Sequence, residues 1–208
     1  MAQSVLGVVV VTYNSGSEAV ACLATLLASA RATGLALQVV VVDNASADDT
    51  VARITDWARG TARRVPAPAE GPVKGHVQSH AQGPGQGPGD RGPENPFPDD
   101  LPFAVPPLDG PVSLEIGAPG AVPAAGTDVI VVRAPDNRGF AGGVNLGLES
   151  LAAVPGIGHF WILNPDTVVP PEAAAALAAW LQASPVYGLM GGRVTYLGKP
   201  DEIQIDGG

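Results

Sequence analysis

Apolar residues in this chain gather into short β-branched runs separated by stretches with helical spacing. Residues 5–11 are Val, Leu or Gly throughout, and residues 39–42 are four consecutive valines. A run that is apolar on successive positions, rather than on alternate ones, suits a strand covered on both faces. The pattern predicts strands at 5–11, 37–42, 129–132 and 160–163. A fifth is expected at 187–194, interrupted by Gly191-Gly192. Between the first two strands, Val20, Leu23, Leu27 and Ala30 recur at helical intervals on one face. Ser46 and Asp49 resemble a capping box opening a second helix lined by Val51, Ile54 and Ala58. Val144, Leu148 and Leu151 define a third helix. Pro170-Pro171-Glu172 opens a fourth, since proline is tolerated in a first turn.

Strands and helices in alternation predict an α/β protein, with a Rossmann-like, mostly parallel sheet and helices on both faces. One stretch does not fit. From residue 60 to residue 126, 26 of 67 residues are Gly or Pro, and no apolar period survives. Such a segment buries too little surface to offset its ordering entropy. The expectation is a single discontinuous domain over 1–59 and 127–208, carrying a disordered insertion at 60–126.

Composition narrows the function. Twenty acidic against eleven basic side chains give a net charge of −9, which argues against a nucleic-acid partner. The longest uninterrupted apolar run, 173–181, has nine residues, about half a membrane span. No Lys or Arg precedes the apolar stretch at Val5, so no secretory signal is expected. The single cysteine, Cys22, excludes an intrachain disulfide. It lies in a predicted helix and reads as a packing residue. His76 and His80 are four apart, but no helix is predicted to hold that spacing. The overall picture is a cytoplasmic protein.

Parallel sheets bind ligands beyond the carboxyl ends of their strands, so the residues following each strand matter most. The first strand delivers Thr12-Tyr13-Asn14-Ser15 and the second Asp43-Asn44-Ala45-Ser46. The third leads to Asn137-Arg138-Gly139-Phe140-Ala141-Gly142-Gly143-Val144-Asn145, and the fourth to Asn164-Pro165-Asp166. Asp43 is an acceptor suited to a base N–H or a ribose hydroxyl. Tyr13 can stack on a planar base. The 137–145 loop opens a helix whose first N–H groups are unpaired, a place for an anion, although its glycines equally suit tight helix–sheet packing. Asp166 is a hard oxygen ligand for Mg²⁺ or Mn²⁺ shared with phosphate oxygens. Together these make a nucleoside diphosphate site.

These four motifs, in this order, resemble family-2 glycosyltransferases of the GT-A fold, and most closely a rhamnosyltransferase-like branch of bacterial cell-envelope synthesis. The resemblance covers nearly all of the part expected to fold. It implies inverting transfer of a sugar from a UDP- or dTDP-linked donor to a glycan or lipid-linked acceptor, at a cytoplasmic site peripheral to the inner face of the plasma membrane. Donor-binding candidates are Thr12, Tyr13, Asn14, Asp43, Asn44, Asn137, Gly139, Phe140, Asn145 and Asn164. Asp166 corresponds to the last carboxylate of the family's DxD-type metal motif, and Asn164 replaces the first.

The family's general base lies in an acidic segment well downstream of that motif. Here Asp201, Glu202 and Asp206 are the only carboxylates after Glu172, and none sits in a recognisable version of it. No catalytic base is therefore assigned, and the acceptor part of the family pattern is expected to be lacking. The alternative is a chain that binds a nucleotide sugar without transferring it. A nicotinamide-dependent dehydrogenase is disfavoured, because Thr12-Tyr13-Asn14-Ser15-Gly16 lacks the glycine triplet such cofactors need.

Overall fold

A computed structural model describes residues 5–60, 108, 111–183, 188–197 and 199–206, apart from the side chains of residues 182 and 200. In chain order the elements are β1 (Val5–Thr12), α1 (Gly16–Thr33), β2 (Leu37–Asp43), α2 (Thr50–Ala58), β3 (Leu114–Gly117), β4 (Val129–Arg133), α3 (Gly139–Ala152), β5 (Ile157–Leu163), α4 (Ala173–Ala183), β6 (Arg193–Tyr196) and β7 (Lys199–Asp206). Five strands form a parallel sheet in the order β3-β4-β2-β1-β5.

The continuous apolar runs have the expected cause. Val8, Val10, Val39, Val41, Val129 and Val131 point to one face, into a core shared with α1, α2 and α4. Val9, Val11, Val40, Val42, Ile130 and Val132 point to the other, against α3. Each fully buried valine contributes about 1.5–3 kcal/mol relative to exposure, so polar substitution anywhere in these runs is costly. The α/β fold with helices on both faces is thus as the sequence predicts. The predicted helix positions Val20, Leu23, Leu27 and Ala30 are all buried. So are Ala21, Ala24 and Ala28, because α2 and α4 both pack against α1.

Three expectations need correction. The insertion expected at 60–126 is too long at its C-terminal end. Leu114–Gly117 is β3, an edge strand paired with β4 from Leu114↔Val129 to Gly117↔Val132. Val112 is buried in the α1/α2 core, and its N–H reaches the Ala58 carbonyl at 3.4 Å. Neighbouring Gly and Pro conceal a four-residue strand from any composition window. Residues 61–107 lie outside the described residues.

The fifth strand expected at 187–194 does not join the sheet. Residues 189–192 have no regular structure, and Arg193–Tyr196 pairs antiparallel with β7 in a separate two-stranded sheet. The chain reverses at Leu197, so the pairing is local. Residues 184–187 lie outside the described residues. The capping box is the third correction. The second helix begins at Thr50, with Asp49 as N-cap and no side-chain cap bond. The Ser46 hydroxyl instead accepts the Asn14 N–H at 3.0 Å.

Glycines fit α3 onto the sheet. A Cβ on Gly147 would lie 2.5 Å from Val9 Cγ1, and one on Gly143 would lie 2.6 Å from Val11 Cγ1. Both valines are β-branched and packed, so neither yields. Gly147→Ala is expected to cost about 1–3 kcal/mol, the usual range for overpacking. Urea unfolding measures this, and an unchanged midpoint would show that α3 can lift off the sheet freely.

Candidate functional site

Register decides what meets at the carboxyl edge. Thr12 of β1 pairs with Asp43 of β2, and Asp43 pairs with Arg133 of β4. By strand alternation all three side chains share the face of Val10, Val41 and Val131, on the α1/α2 side. A hydroxyl, a carboxylate and a guanidinium therefore close three adjacent strands on one rung. Beside it, β5 follows α3 across the other face of the sheet and returns next to β1. The loops after β1 and β5 both lead to helices on the same face, where α1 and α4 pack together, whereas the loop after β4 leads to α3 on the other face.

At this edge the loop after β1 is tied to the loop after β2. Asn14 is left-handed, with φ of 49°, and its Oδ1 accepts the Ala47 N–H at 2.8 Å. The Ser15 N–H donates to Thr50 Oγ1 at 3.1 Å. Thr50 in turn donates its hydroxyl to Asp48 Oδ1 at 2.6 Å. Thr12 is fully buried and its hydroxyl pairs with Ser15 Oγ at 2.8 Å. Of the first motif, Tyr13 is half exposed at 50%, and Asn14 is exposed as well although it bonds the second loop.

Asp43 differs from its neighbours. It is only 2% exposed. Its Oδ1 accepts the Ser46 N–H at 3.2 Å, while Oδ2 faces Arg133 Nε at 3.9 Å, beyond hydrogen-bond reach. Burying a carboxylate is costly unless it is paired and hydrogen-bonded. Here one oxygen keeps its accepting capacity at the rim, opposite a guanidinium that is 62% exposed. Sequence reasoning missed Arg133. The available signal was a cation ending an apolar run level with Asp43.

Asn44 is buried, and both its amide hydrogens are donated, to Asn137 Oδ1 at 2.9 Å and to the Gly139 carbonyl at 3.1 Å. Its Oδ1 accepts the Arg138 N–H at 3.0 Å. Asn137 Oδ1 also accepts the Gly139 N–H at 2.9 Å, and Gly139 takes a positive φ of 68° at the start of α3. Phe140, in that first turn, is half exposed. Asn145 is also exposed, but it lies about 9 Å further along the helix axis, at 1.5 Å per residue from Gly139. The glycines divide by role: Gly143 and Gly147 serve packing, whereas Gly139 shapes the loop.

The loop after β5 is held by α1. Cys22, Thr25 and Ser29 fall on one stripe of that helix. The Cys22 thiol lies 3.6 Å from the Asn164 carbonyl. Thr25 Oγ1 accepts the Val169 N–H at 3.0 Å. Ser29 donates to the Pro171 carbonyl at 2.8 Å and accepts the Ala174 N–H at 3.2 Å. The side chains of Asn164 and Asp166, just past the end of β5, are exposed. Among the described residues no group of three His, Cys, Asp or Glu could hold a metal on its own. One carboxylate with an amide oxygen suits a cation that completes its shell with phosphate and water, rather than a protein cage.

A separate hollow of about 140 Å³ lies at the far edge of the sheet, between α2 and β3, lined by Thr55, Ala58, Arg59, Val112, Leu114 and Ile116. It carries no carboxylate and is remote from the polar rim.

A parallel sheet with helices on both faces and polar groups massed at its carboxyl edge is consistent with the GT-A, Rossmann-like class of nucleotide-sugar transferases. Residues 7–82 match the family model Glycosyl transferase family 2. The match takes in most of β1 and all of α1, β2 and α2. The match, over less than half of the chain, supports a glycosyltransferase in general terms. No curated protein and no solved structure matches the chain.

Two outcomes follow from this geometry. Asn14→Ala removes an acceptor and places a Cβ-bearing residue without local hydrogen bonding in the left-handed region, so it should lose about 1–3 kcal/mol. Asn14→Gly loses only the acceptor and should be the milder change in denaturant unfolding; equal losses would mean that the left-handed turn is unstrained. Burial, with the Asp166 carboxylate second, pushes the Cys22 thiol up to about 12. The thiolate is the reactive form, so Cys22 should resist maleimide in the native protein and label fully in denaturant. Rapid native labelling would show that α1 opens.

Proposed function

We propose that this chain holds the donor half of an inverting glycosyltransferase site, which takes a UDP- or dTDP-linked sugar. The observation that carries the reading is the shared edge: Tyr13, Asp43, the Gly139 loop and Asp166 follow β1, β2, β4 and β5, four neighbouring strands of one parallel sheet. Tyr13 stacks on the base. Asp43 accepts a hydrogen bond from the base or the ribose. The opening turn of α3, at Gly139 and Phe140, faces the diphosphate. Asp166, with Asn164, holds a Mg²⁺ or Mn²⁺ ion together with phosphate oxygens. Such an ion supplies Lewis-acid neutralisation of the charge on a departing diphosphate.

The transferred sugar is rhamnose or a related hexose, and the acceptor a glycan or lipid-linked intermediate of the cell envelope. These finer assignments rest on the four-motif resemblance. Among the described residues no helix is long and apolar enough to cross a membrane. A peripheral position at the inner face of the plasma membrane suits a lipid-linked acceptor.

One observation favours a second reading, binding without transfer. An acceptor hydroxyl needs a carboxylate base, and the late carboxylates sit on the β6–β7 hairpin rather than on the sheet. Asp206 pairs with Arg193 at 2.9 Å and Glu202 with Lys199 at 3.0 Å, and Asp201 lies on the same strand.

Calorimetry with UDP and dTDP, with and without Mg²⁺ or Mn²⁺, tests the site. The wild type should bind one of them more tightly with metal. Asp166→Ala should remove that gain, about tenfold or ~1.4 kcal/mol. Absence of binding by the wild type refutes the reading. Donor turnover with a lipid-linked acceptor separates transfer from binding alone.

A further inference from the structure

We propose that Asn44 does not touch the donor but is a positioning residue that fixes the spacing between the nucleoside and diphosphate ends of its site. The inference rests on the donor-site reading above. Asn44 follows Asp43, and its N–H donates to the Thr12 carbonyl at 2.9 Å, so its backbone is locked to the polar rung. Its side chain turns the other way, into the loop before α3. An asparagine amide has two donors and an acceptor oxygen with two lone pairs. Both donors and one lone pair are used on residues 137–139.

Those bonds decide which backbone groups remain. The first N–H groups of a helix have no intrahelical acceptor. At α3, the Arg138 N–H is taken by Asn44 and the Gly139 N–H by Asn137. Helix geometry provides no acceptor for the N–H groups of Phe140 and Ala141, the next in line for an anion. One residue before Asn44, the buried Asp43 carboxylate bonds the Ser46 N–H through Oδ1 and pairs with Arg133 across 3.9 Å through Oδ2, which leaves Oδ2 open to a further donor at the rim. Asn44 therefore joins, through one rigid side chain, an acceptor suited to a nucleoside and a pair of N–H groups suited to a phosphate. A nucleoside diphosphate has both functions at a fixed separation.

The experiment compares a nucleoside with its diphosphate without added metal, using uridine against UDP and thymidine against dTDP, by NMR titration of wild type, Asn44→Ala and Asn137→Ala. The inference expects Asn44→Ala to weaken the diphosphate about tenfold while leaving the nucleoside within about twofold, since only the loop has been released. Asn137→Ala, at an exposed position, should change the same ratio in the same direction. It carries the test alone if Asn44→Ala does not fold. Equal loss of nucleoside and diphosphate in a variant with an unchanged melting temperature overturns the inference, because Asn44 would then contact the nucleoside or act only through general stability. Undiminished diphosphate binding overturns it as well. A wild type that binds neither ligand refutes the donor-site reading itself, an outcome distinct from both.

Discussion

The chain's chemistry depends on the parallel pairing of β1, β2 and β4 ending level. With both faces apolar, the middle of these strands specifies register weakly, because a slip exchanges valine for valine. The ends do specify it. Thr12, Asp43 and Arg133 close the three strands on one rung, and a slip of one residue would turn Asp43 toward α3 and the second core. At the opposite end, the Gln38 amide donates to the Thr127 carbonyl at 3.0 Å, a second polar stop. Hydrophobic burial supplies the driving force, and a few polar termini choose the alignment. The same alignment gathers the polar side chains at one edge, so register and site share a cause.

Helix α1 contributes a second constraint. It is buried along most of its length, and such a helix ordinarily carries no polar side chain without a partner. Thr25 and Ser29 are buried and both bond the segment leading into α4, while Cys22 approaches the Asn164 carbonyl. This stripe explains why the loop after β5 stays beside the sheet although β5 is an edge strand. Asp166 is thus placed from below by α1 rather than by its own strand alone. Its carboxylate in turn contributes to raising the Cys22 thiol. Cys22 therefore does more than the packing its helical position suggested: it sits where a loop carrying the exposed carboxylate meets the core.

Much of this was readable from the chain. The strands at 5–11, 37–42 and 129–132 declare themselves by unbroken β-branched runs, since burial on both faces leaves no polar alternation to confuse the pattern. The four polar strand ends followed from the general behaviour of parallel sheets. What stayed hidden was short or long-range. β3 is four residues long within Gly/Pro-rich sequence, and its support comes from pairing with β4. The hairpin at 193–206 was misread as part of the sheet because apolar content at 187–194 does not say which partner a strand finds. The bonds from Asn14 to Ala47 and from Asn44 to Asn137 span 33 and 93 residues, and no spacing rule reaches so far. Arg133 was overlooked for another reason, since a terminal cation on a strand is usually a solvated end.

The structure also divides the motifs in a way their letters cannot. Adjacent motif residues do opposite work. Thr12, Asn14 and Asn44 bond to other parts of the chain, whereas Tyr13 is half exposed and Asp43 keeps an oxygen without a hydrogen-bond donor. The pattern has a physical reason. Three loops meeting at a sheet edge expose backbone polar groups that a small ligand cannot all satisfy, and unpaired groups there would cost more than a weak ligand returns. Small polar side chains resolve this by joining the loops to one another: Asn14 joins the first loop to the second, and Asn44 joins the second to the third. The groups left over are those with reach or charge, namely a phenol ring, a carboxylate oxygen, helix N–H groups and an exposed aspartate. A rim assembled this way is rigid before any ligand arrives, so binding need not order the loops.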